Sequence, residues 1–381
     1  MRTATRYSFM VLTIVGLCCC KPKPASIRSS DFKATEKDTT KIETAPENIV
    51  PDSAITIAAV GDMMLGTAYP DESHLPPDSA KGSFKYALKH LREADVAFGN
   101  LEGVLLDSGA ALQMKLNFRS KPYLFKMPEH YGRIFKDAGF DVISVANNHS
   151  NDFGLAGRKK TVGILDSLGI HYAGLRTNPT KLFTIKGVKY GFCAFSPNSQ
   201  TVPLLDTKNA AKIIHHLKEQ ADIVIVSFHG GGEGVDFEHV SCTNERFKGE
   251  RRGNVNAFAH AAIDAGADIV LGHGPHVARA MELYNNRLIA YSLGNFCTYR
   301  SVSVSGICGL APLLKVRLNK KGHFLDGHII SYQQTHAGGL VPDSLNKAAA
   351  RIKMLTQTDF EASGLQISST GKILRGTQNL N

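Results

Sequence analysis

Polar side chains that can bind metal ions follow five apolar segments of this sequence. The segments end in the motifs VGD, FGNLE, VANNHSND, VSFHGGGE and LGHGPH, which contain carboxylate, carboxamide and imidazole groups. The candidate metal ligands are Asp62, Glu102, Asn148, His229, His273 and His276. Oxygen and imidazole ligands suit one or two divalent ions such as Mn, Fe, Zn or Mg, and the absence of thiolates from these motifs argues against a structural zinc site.

The same motifs contain residues suited to proton transfer and to substrate contact. His149 and Asp152 are the candidate catalytic residues, because an imidazole can move a proton and a nearby carboxylate can orient it. Asn100, Glu233 and Asn295 are candidates for contacts with substrate or with the metal ligands. Two metals about 3.5–4 Å apart would activate a water and hold a phosphoryl group.

Several of these residues also have ordinary structural explanations. Asp62 could cap a helix or a turn, and Asn147 and Asn148 could form turns, because asparagine tolerates left-handed backbone geometry. Asp152 could orient His149, cap the next helix or contact substrate. The sequence alone leaves these alternatives open.

The charge pattern does not favour nucleic-acid binding. The 381 residues include 44 Lys and Arg against 34 Asp and Glu, a formal net charge of +10. The densest basic clusters, GRKK (157–160) and KGERR (248–252), have no interleaved aromatic residues and are typical of solvated surfaces. We expect no nucleic-acid partner, whereas a polyanionic polymer, a phosphoester or an anionic membrane matches the sign of the charge. Surface positions are expected for His215 and His216. Arg119 and Arg279 could hold an anionic substrate, but exposure to solvent is the favoured expectation for both.

Alternating helix-like and strand-like segments predict the framework that positions the motifs. The helix-like segments are 84–94, 128–139, 158–169, 208–220 and 255–266. Each precedes a strand-like segment, which is typical of βαβ units, so the fold class is α/β. Because the carboxyl ends of parallel strands share one edge of a sheet, the five motifs should converge there. Added hairpins are predicted at 182–196, 281–293 and 313–333.

The amino-terminal segment is typical of an exported protein. A basic start and a short apolar stretch (9–17) lead to three cysteines, and the stretch is too short to span a membrane comfortably. This ending resembles a bacterial lipobox with Cys20 as the lipidation site, although an ordinary signal peptide would also fit. We therefore predict a lipoprotein signal peptide at 1–19, a flexible lipidated tether at 20–53, and a lipid anchor on the extracytoplasmic face of a bacterial membrane, in the cell envelope.

Four cysteines lie beyond this segment, namely Cys193, Cys242, Cys297 and Cys308. Export permits disulfides, and four cysteines can pair in three ways. Cys297 and Cys308 bracket a serine-rich loop, which favours that pair. Free buried thiols are the alternative.

The motifs, taken in order, resemble a known protein family. GDMMLG, NLEG, ANNHSNDFG, HGGGEG and GHGPHV, the last followed by ELYNNRLIAYSLGNF, are similar to the bacterial capsule-synthesis CapA family, also called the poly-γ-glutamate biosynthesis family. That family resembles the calcineurin-like metallophosphoesterases. The resemblance implies a metallophosphoesterase-like α/β/β/α sandwich at 54–340. The pattern of the remaining residues predicts a C-terminal helix and a short hairpin at 341–381, packed on the same domain.

The resemblance also implies roles for individual residues. The implied ligands of a two-metal site are Asp62, Asn148, His229, His273 and His276, and His149 would protonate the leaving group. Met64 stands where the phosphoesterase Asp-x-His motif has its histidine, and Asn100 or Glu102 replaces a bridging aspartate. The two histidines of the last motif are three residues apart instead of two. These departures weaken one of the two metal positions. Within the CapA-like pattern itself, Gly230 replaces an aromatic residue, whereas Glu233 remains.

The predicted function is that of a membrane-anchored protein of capsule or exopolymer (poly-γ-glutamate) biosynthesis. It would act as a metal-dependent hydrolase or transferase on a phosphoester or a γ-glutamyl polymer. The alternative is a non-catalytic accessory subunit that binds the polyanion in a synthesis or export complex. A third interpretation is a surface-binding lipoprotein whose histidines only bind available metal. The first two would act beside other capsule or polymer synthesis proteins.

Overall fold

Two β-sheets form the centre of the fold. The computed structural model describes residues 54–111, 123–335 and 339–376. The predicted signal peptide, the tether with Cys20, and Arg119 lie outside these described residues. None of the helices within the described ranges is long and apolar enough to cross a membrane.

The larger sheet has ten strands. In the order of hydrogen-bonded neighbours, eight of them are β19 (Leu365–Ile367), β20 (Lys372–Arg375), β17 (Phe324–Thr335), β16 (Leu310–Leu318), β1 (Ile55–Met64), β2 (Val96–Leu101), β5 (Val142–Ser144) and β6 (His171–Ala173). Two more strands extend it, β15 (Asn295–Thr298) beside β1 and β18 (Gly339–Pro342) beside β17. Strands β1, β2, β5 and β6 are parallel, so their carboxyl ends lie at one edge.

The second sheet has six strands. Their order is β13 (Met281–Tyr284), β14 (Arg287–Ala290), β12 (Ile269–His273), β9 (Ile223–His229), β8 (Val188–Phe195) and β7 (Thr180–Ile185). The four inner strands are parallel, and the predicted hairpins form its two edges. Two short ribbons complete the strands, β3 (Val104–Leu105) with β4 (Lys126–Met127), and β10 (Glu245–Phe247) with β11 (Glu250–Gly253).

Five of the described helices cover the outer faces of the sheets, and the last one contributes side chains to the apolar cluster between them. They are α1 (Leu88–Glu93), α2 (Tyr131–Ala138), α3 (Gly154–Ser167), α4 (Thr207–Lys218), α5 (Val255–Asp264) and α6 (Lys347–Asp359). Apolar side chains of α1 to α3 pack on the larger sheet, and those of α4 and α5 pack on the smaller one. A third apolar cluster fills the space between the sheets, where the rings of Phe98 and Phe192 lie 5.7 Å apart. The predicted α/β/β/α sandwich is confirmed.

Local sequence explains where several helices begin and end. The Asp206 carboxylate accepts a hydrogen bond from the Asn209 amide and caps α4, and Asn254 caps α5 in the same way. Helix α2 ends at Gly139, whose φ of 103° suits a residue without a side chain. Helix α3 begins at Gly154, four residues before the predicted start, and an added Cβ on Gly157 in its first turn would lie 3.1 Å from Val104 Cγ1.

The favoured disulfide between Cys297 and Cys308 is wrong. All four cysteines of the described ranges are free thiols. The Cys297 thiol is buried and contacts the Ser83 carbonyl oxygen at 3.3 Å. Burial raises the pKa of Cys297 to about 12, so the thiol is protonated and inert at neutral pH.

Candidate metal centre

Three strands of the larger sheet bring polar side chains to one point. Asp62 on β1 stands in register with Asn100 of β2 on one side and with Asn295 of β15 on the other. The preceding Gly61 allows a close approach, since an added Cβ there would lie 2.0 Å from the Gly294 carbonyl oxygen. Asn100 Nδ2 donates to Asp62 Oδ1 at 2.8 Å, which leaves Asp62 Oδ2 turned to other partners.

The second sheet delivers its histidines to the same place. His229 ends β9 and His273 ends β12, and the two residues are register partners. The His273 ring spans the two sheets, because Nε2 lies 3.2 Å from the Val60 carbonyl oxygen of β1 and Nδ1 lies 3.4 Å from Ser227 Oγ. Both nitrogens of this predicted ligand therefore have protein neighbours at hydrogen-bonding distance.

Asp62, Glu102 and His276 form a group that could hold a metal ion, called the metal-binding cluster below. One ligand atom from each lies within 4.8 Å of the others. His276 Nδ1 is 3.0 Å from Asp62 Oδ2, and His276 Nε2 is 3.6 Å from Glu102 Oε1. Both carboxylates are fully buried, and neither oxygen of Glu102 accepts a hydrogen bond from a described residue. Buried carboxylate oxygens without donors are costly unless a cation lies between them, so this donor set fits a divalent metal ion.

A left-handed turn places His276 in the cluster. His276 has a φ of 59°, and Gly274 has a φ of 115°. A Cβ on Gly274 would lie 2.7 Å from the Gly230 carbonyl oxygen, so only glycine fits there. His276 Nδ1 also lies 3.1 Å from Asn295 Oδ1. The three-residue spacing between His273 and His276 thus lets the two rings take different positions.

Electrostatics in the cluster favour a cation. Burial raises the pKa of Glu102 to about 8. Burial alone would raise the pKa of Asp62, but the hydrogen bond and charge of His276 lower it to about 2. Burial alone would lower the pKa of His276, but the charges of Glu102 and Asp62 raise it to about 10. The carboxylates of Asp62 and Glu102 thus favour positive charge at this point, which a bound divalent ion would supply.

His149 and Asp152 form a pair beside this cluster. His149 Nδ1 lies 2.8 Å from Asp152 Oδ2, which also accepts a hydrogen bond from the Phe125 amide at 2.8 Å. The His149 ring stacks on Phe125 with centroids 4.0 Å apart, and its Nε2 lies 3.9 Å from Glu102 Oε1. Of the three roles considered for Asp152 (orienting His149, capping the next helix or contacting substrate), this geometry supports the orientation of His149. The cap position of α3 belongs to Phe153.

The other predicted site residues lie around this centre. His229 is buried, its ring centroid is 6.1 Å from that of His276, and neither ring nitrogen has a hydrogen-bond partner among the described residues. Burial holds the pKa of His229 well below its usual range, which keeps the neutral, metal-binding form. Asn148 is half-buried in the loop next to His149, and Glu233 is half-buried beyond β9. Met64 is fully buried and offers no oxygen or nitrogen ligand.

Sequence reasoning missed two buried arginines. Arg279 was expected in solvent, yet it is fully buried, and both terminal nitrogens donate to Glu245 at 2.9 and 2.8 Å. Arg252 lies in the KGERR cluster that was expected to be solvated, yet its side chain is 3% exposed and pairs with Glu233 at 2.6 Å. The neighbouring Arg251 is exposed, so local sequence contains no signal that separates the two.

Sequence comparison identifies the family. The family described as bacterial capsule synthesis protein PGA_cap matches residues 56–300. The chain belongs to this family. It is 30% identical over 272 residues to the PGA biosynthesis protein CapA of Bacillus subtilis (strain 168), an alignment that covers 67% of this chain and 66% of that protein. It is 28% identical over 277 residues to the capsule biosynthesis protein CapA of Bacillus anthracis, covering 66% of this chain and 62% of that protein.

This PGA_cap chain therefore spans less than two thirds of the length of both relatives. Among solved structures, it is similar to a putative 5'-nucleotidase from Staphylococcus aureus in complex with α-ketoglutarate. That match has a TM-score of 0.43 and 15% sequence identity, and covers 80% of this chain and 58% of the other.

Proposed function

We propose that this PGA_cap chain is a metal-dependent hydrolase or transferase of capsule or exopolymer biosynthesis, acting on a phosphoester or on a γ-glutamyl polymer. The observation that carries the proposal is the position of Glu102. Its Oε1 lies 3.6 Å from His276 in the metal-binding cluster and 3.9 Å from the oriented His149. The names of the two Bacillus relatives, both CapA proteins of capsule or PGA biosynthesis, support the biological context.

The metal would be held by the metal-binding cluster and by His229. Asp62, Glu102 and His276 supply two carboxylates and an imidazole, and His229 adds a neutral imidazole whose nitrogens have no hydrogen-bond partner among the described residues. Asn148 and His273 remain predicted ligands. A divalent ion bound there supplies Lewis-acid polarisation of a carbonyl or phosphoryl oxygen.

His149 would move the proton. Asp152 accepts the Nδ1 hydrogen, which fixes the tautomer and stabilises the imidazolium that forms when Nε2 takes up a proton. The ring is nearly buried and held by Phe125, so Nε2 stays on the side of Glu102. Nε2 is then the atom that donates a proton to a leaving oxygen or nitrogen.

An accessory role is the second candidate. The buried thioether of Met64, two residues after Asp62, occupies the position of an expected histidine ligand. A chain with one metal position could hold an anionic polymer without cleaving it. Under this alternative, metal binding persists without turnover.

We propose that the protein lies on the extracytoplasmic face of a bacterial membrane. Lipid on Cys20 would anchor it there, next to other polymer synthesis proteins. The lipobox-like LCCC sequence supports the anchor. Labelling of growing cells with a radioactive fatty acid should mark the wild type and not Cys20→Ser, and equal labelling of both would contradict the anchor.

Metal analysis of the purified full chain tests the function. After incubation with Mn²⁺ and dialysis, the wild type should retain about one equivalent. His276→Ala should lose it, and His215→Ala should keep it, because His215 lies on α4 with its side chain 71% exposed. Activity is then measured on a panel of phosphoesters and γ-glutamyl amides. A wild type that binds no metal under aerobic and anaerobic purification would refute the proposal, and bound metal without turnover favours the accessory role.

A further inference from the structure

We infer that Arg252 is a substrate-binding residue that receives an anionic oxygen group, a carboxylate or a phosphoryl group, next to the bond that reacts. The inference rests on the proposed function in one respect, because it takes the metal-binding cluster as the place where substrate reacts. It adds the residue that would hold the oxyanion of such a substrate close to the scissile bond.

The first support is the incomplete hydrogen bonding of a buried cation. The Arg252 side chain is 3% exposed, and its Nη2 lies 2.6 Å from Glu233 and 3.1 Å from Glu250. Its Nε and Nη1 are buried and donate to no described residue. A guanidinium has five N–H donors, and a buried donor without an acceptor costs about 1–3 kcal/mol. Nε and Nη1 are therefore two donors to which an oxyanion could bind.

The second support is the position of Arg252 beside the metal-binding cluster. Its carbonyl oxygen accepts a hydrogen bond at 3.0 Å from the amide of Gly231, two residues beyond His229. The amide of Gly234, next to the ion-pair partner Glu233, donates to the Pro275 carbonyl oxygen at 2.9 Å, and Pro275 precedes His276. Arg252 and Glu233 are therefore joined to the loops that carry His229 and His276.

The third support is the charge that an anionic substrate meets. The carboxylates at the centre belong to Asp62, Glu102, Asp152 and Glu233. An anion entering among them needs a compensating cation besides the metal. Arg279 is not suited, because Glu245 occupies both of its terminal nitrogens. Arg252 has two unoccupied donors, Nε and Nη1, and each forms a fork with Nη2, so an oxyanion that displaces Glu233 from Nη2 would be held by two parallel hydrogen bonds.

Two substrate sources supply this chemistry. In a γ-linked glutamate polymer, an α-carboxylate is attached to the carbon next to each amide nitrogen. In a phosphoester, the oxyanion belongs to the phosphoryl group itself. In both cases the anion would compete with Glu233 for Nη2 and take a second hydrogen bond from Nε or from Nη1.

Binding calorimetry on the full chain tests the inference with two probes, inorganic phosphate and a γ-linked glutamate tetramer. Each is titrated with and without Mn²⁺ into the wild type, Arg252→Ala, Arg252→Lys and Arg251→Ala. Arg251 is the matched control, because it is the adjacent arginine, it is exposed, and its loss changes the net charge equally. We expect at least tenfold weaker binding of one or both probes to Arg252→Ala, and less than twofold change for Arg251→Ala. Arg252→Lys should bind at an intermediate level, since an ammonium group lacks the fork.

A further variant keeps the test independent of folding defects. Glu233→Gln removes the competing carboxylate and should tighten probe binding severalfold, an effect that disappears in the Glu233→Gln/Arg252→Lys double variant. Weaker binding of phosphate alone identifies a phosphoester, and weaker binding of the tetramer alone identifies the polymer. Wild-type affinity for both probes in Arg252→Ala and Arg252→Lys, or equal weakening by Arg251→Ala, would overturn the inference.

The outcome separates this inference from the proposed function. Arg252-dependent binding of a probe in a chain that neither retains metal nor turns over any substrate would support the anion site and refute the hydrolase. Turnover that survives in Arg252→Ala with unchanged KM and unchanged probe binding would refute the anion site and leave the hydrolase standing.

Discussion

Arg279 and Glu245 form a two-point ion pair that is closed off from solvent and joins three segments of the metal centre. Their hydrogen bonds are 2.9 and 2.8 Å long, and Glu245 Oε2 also accepts the Gly232 amide hydrogen at 2.7 Å. Arg279 belongs to the loop of His276, Gly232 to the loop after β9, and Glu245 to the β10–β11 ribbon. The pair therefore holds together the loops that carry the candidate ligands.

Glu245→Ala should destabilise the protein strongly. The substitution leaves the fully buried Arg279 charge without its partner, and breaking a buried pair in this way costs about 3–5 kcal/mol. The free energy of unfolding from urea titration measures the loss. Glu219→Ala is the control, because Glu219 lies at the end of α4 with its side chain 58% exposed. A Glu245→Ala protein as stable as this control would show that the pair does not support the fold.

Gly274→Ala should weaken metal binding and stability together. An alanine there meets the Gly230 carbonyl oxygen at 2.7 Å and must adopt a φ of 115°, which costs on the order of 1–3 kcal/mol and displaces the turn that presents His276. Mn²⁺ affinity and thermal unfolding report the two effects. The control is Gly163→Ala in α3, where an added Cβ meets nothing within 4 Å, and a gain of about 0.5–1 kcal/mol is expected. Unchanged Mn²⁺ affinity in Gly274→Ala would contradict the role of the turn.

Asp152→Asn should reduce turnover without removing the metal. The neutral amide no longer stabilises the imidazolium form of His149, and an amide nitrogen that faces Nδ1 would donate to it and impose the other tautomer. We expect kcat to fall roughly a hundredfold or more, a changed pH–rate profile, and unaltered Mn²⁺ content. Asp137→Asn, an exposed residue of α2 paired with Arg133, should behave as wild type. A normal kcat and pH profile for Asp152→Asn would exclude the pair from catalysis.

The cysteines should differ in reactivity according to burial. Burial raises the pKa of Cys193 and of Cys297, so little thiolate forms and reagents cannot reach it. Iodoacetamide at pH 8 should label Cys242, which is exposed, and leave Cys193 and Cys297 unlabelled until the protein is unfolded. Peptide mapping by mass spectrometry measures this pattern. A cross-linked peptide that joins Cys297 to Cys308 would contradict the structure.

Much of the architecture followed from local sequence patterns. Apolar spacing predicted the helix at 207–218 within two residues, and the turn residues between Ile185 and Val188 predicted the hairpin there. The convergence of Asp62, Glu102 and the residues around His149 followed from topology, since parallel strands end at one edge. These features depend on neighbours in the chain, which the sequence displays directly.

The tertiary structure alone decided the environment of individual side chains. Arg251 and Arg252 are adjacent and identical in type, yet one is exposed and the other is buried against Glu233. The His273 ring lies against Val60 of the other sheet, and His276 turns toward Asp62 through a left-handed backbone. The types and order of the site residues were thus readable from the sequence. Their partners, burial and pKa values depend on contacts between segments as far apart as residues 60 and 273, which exist only once the two sheets have packed.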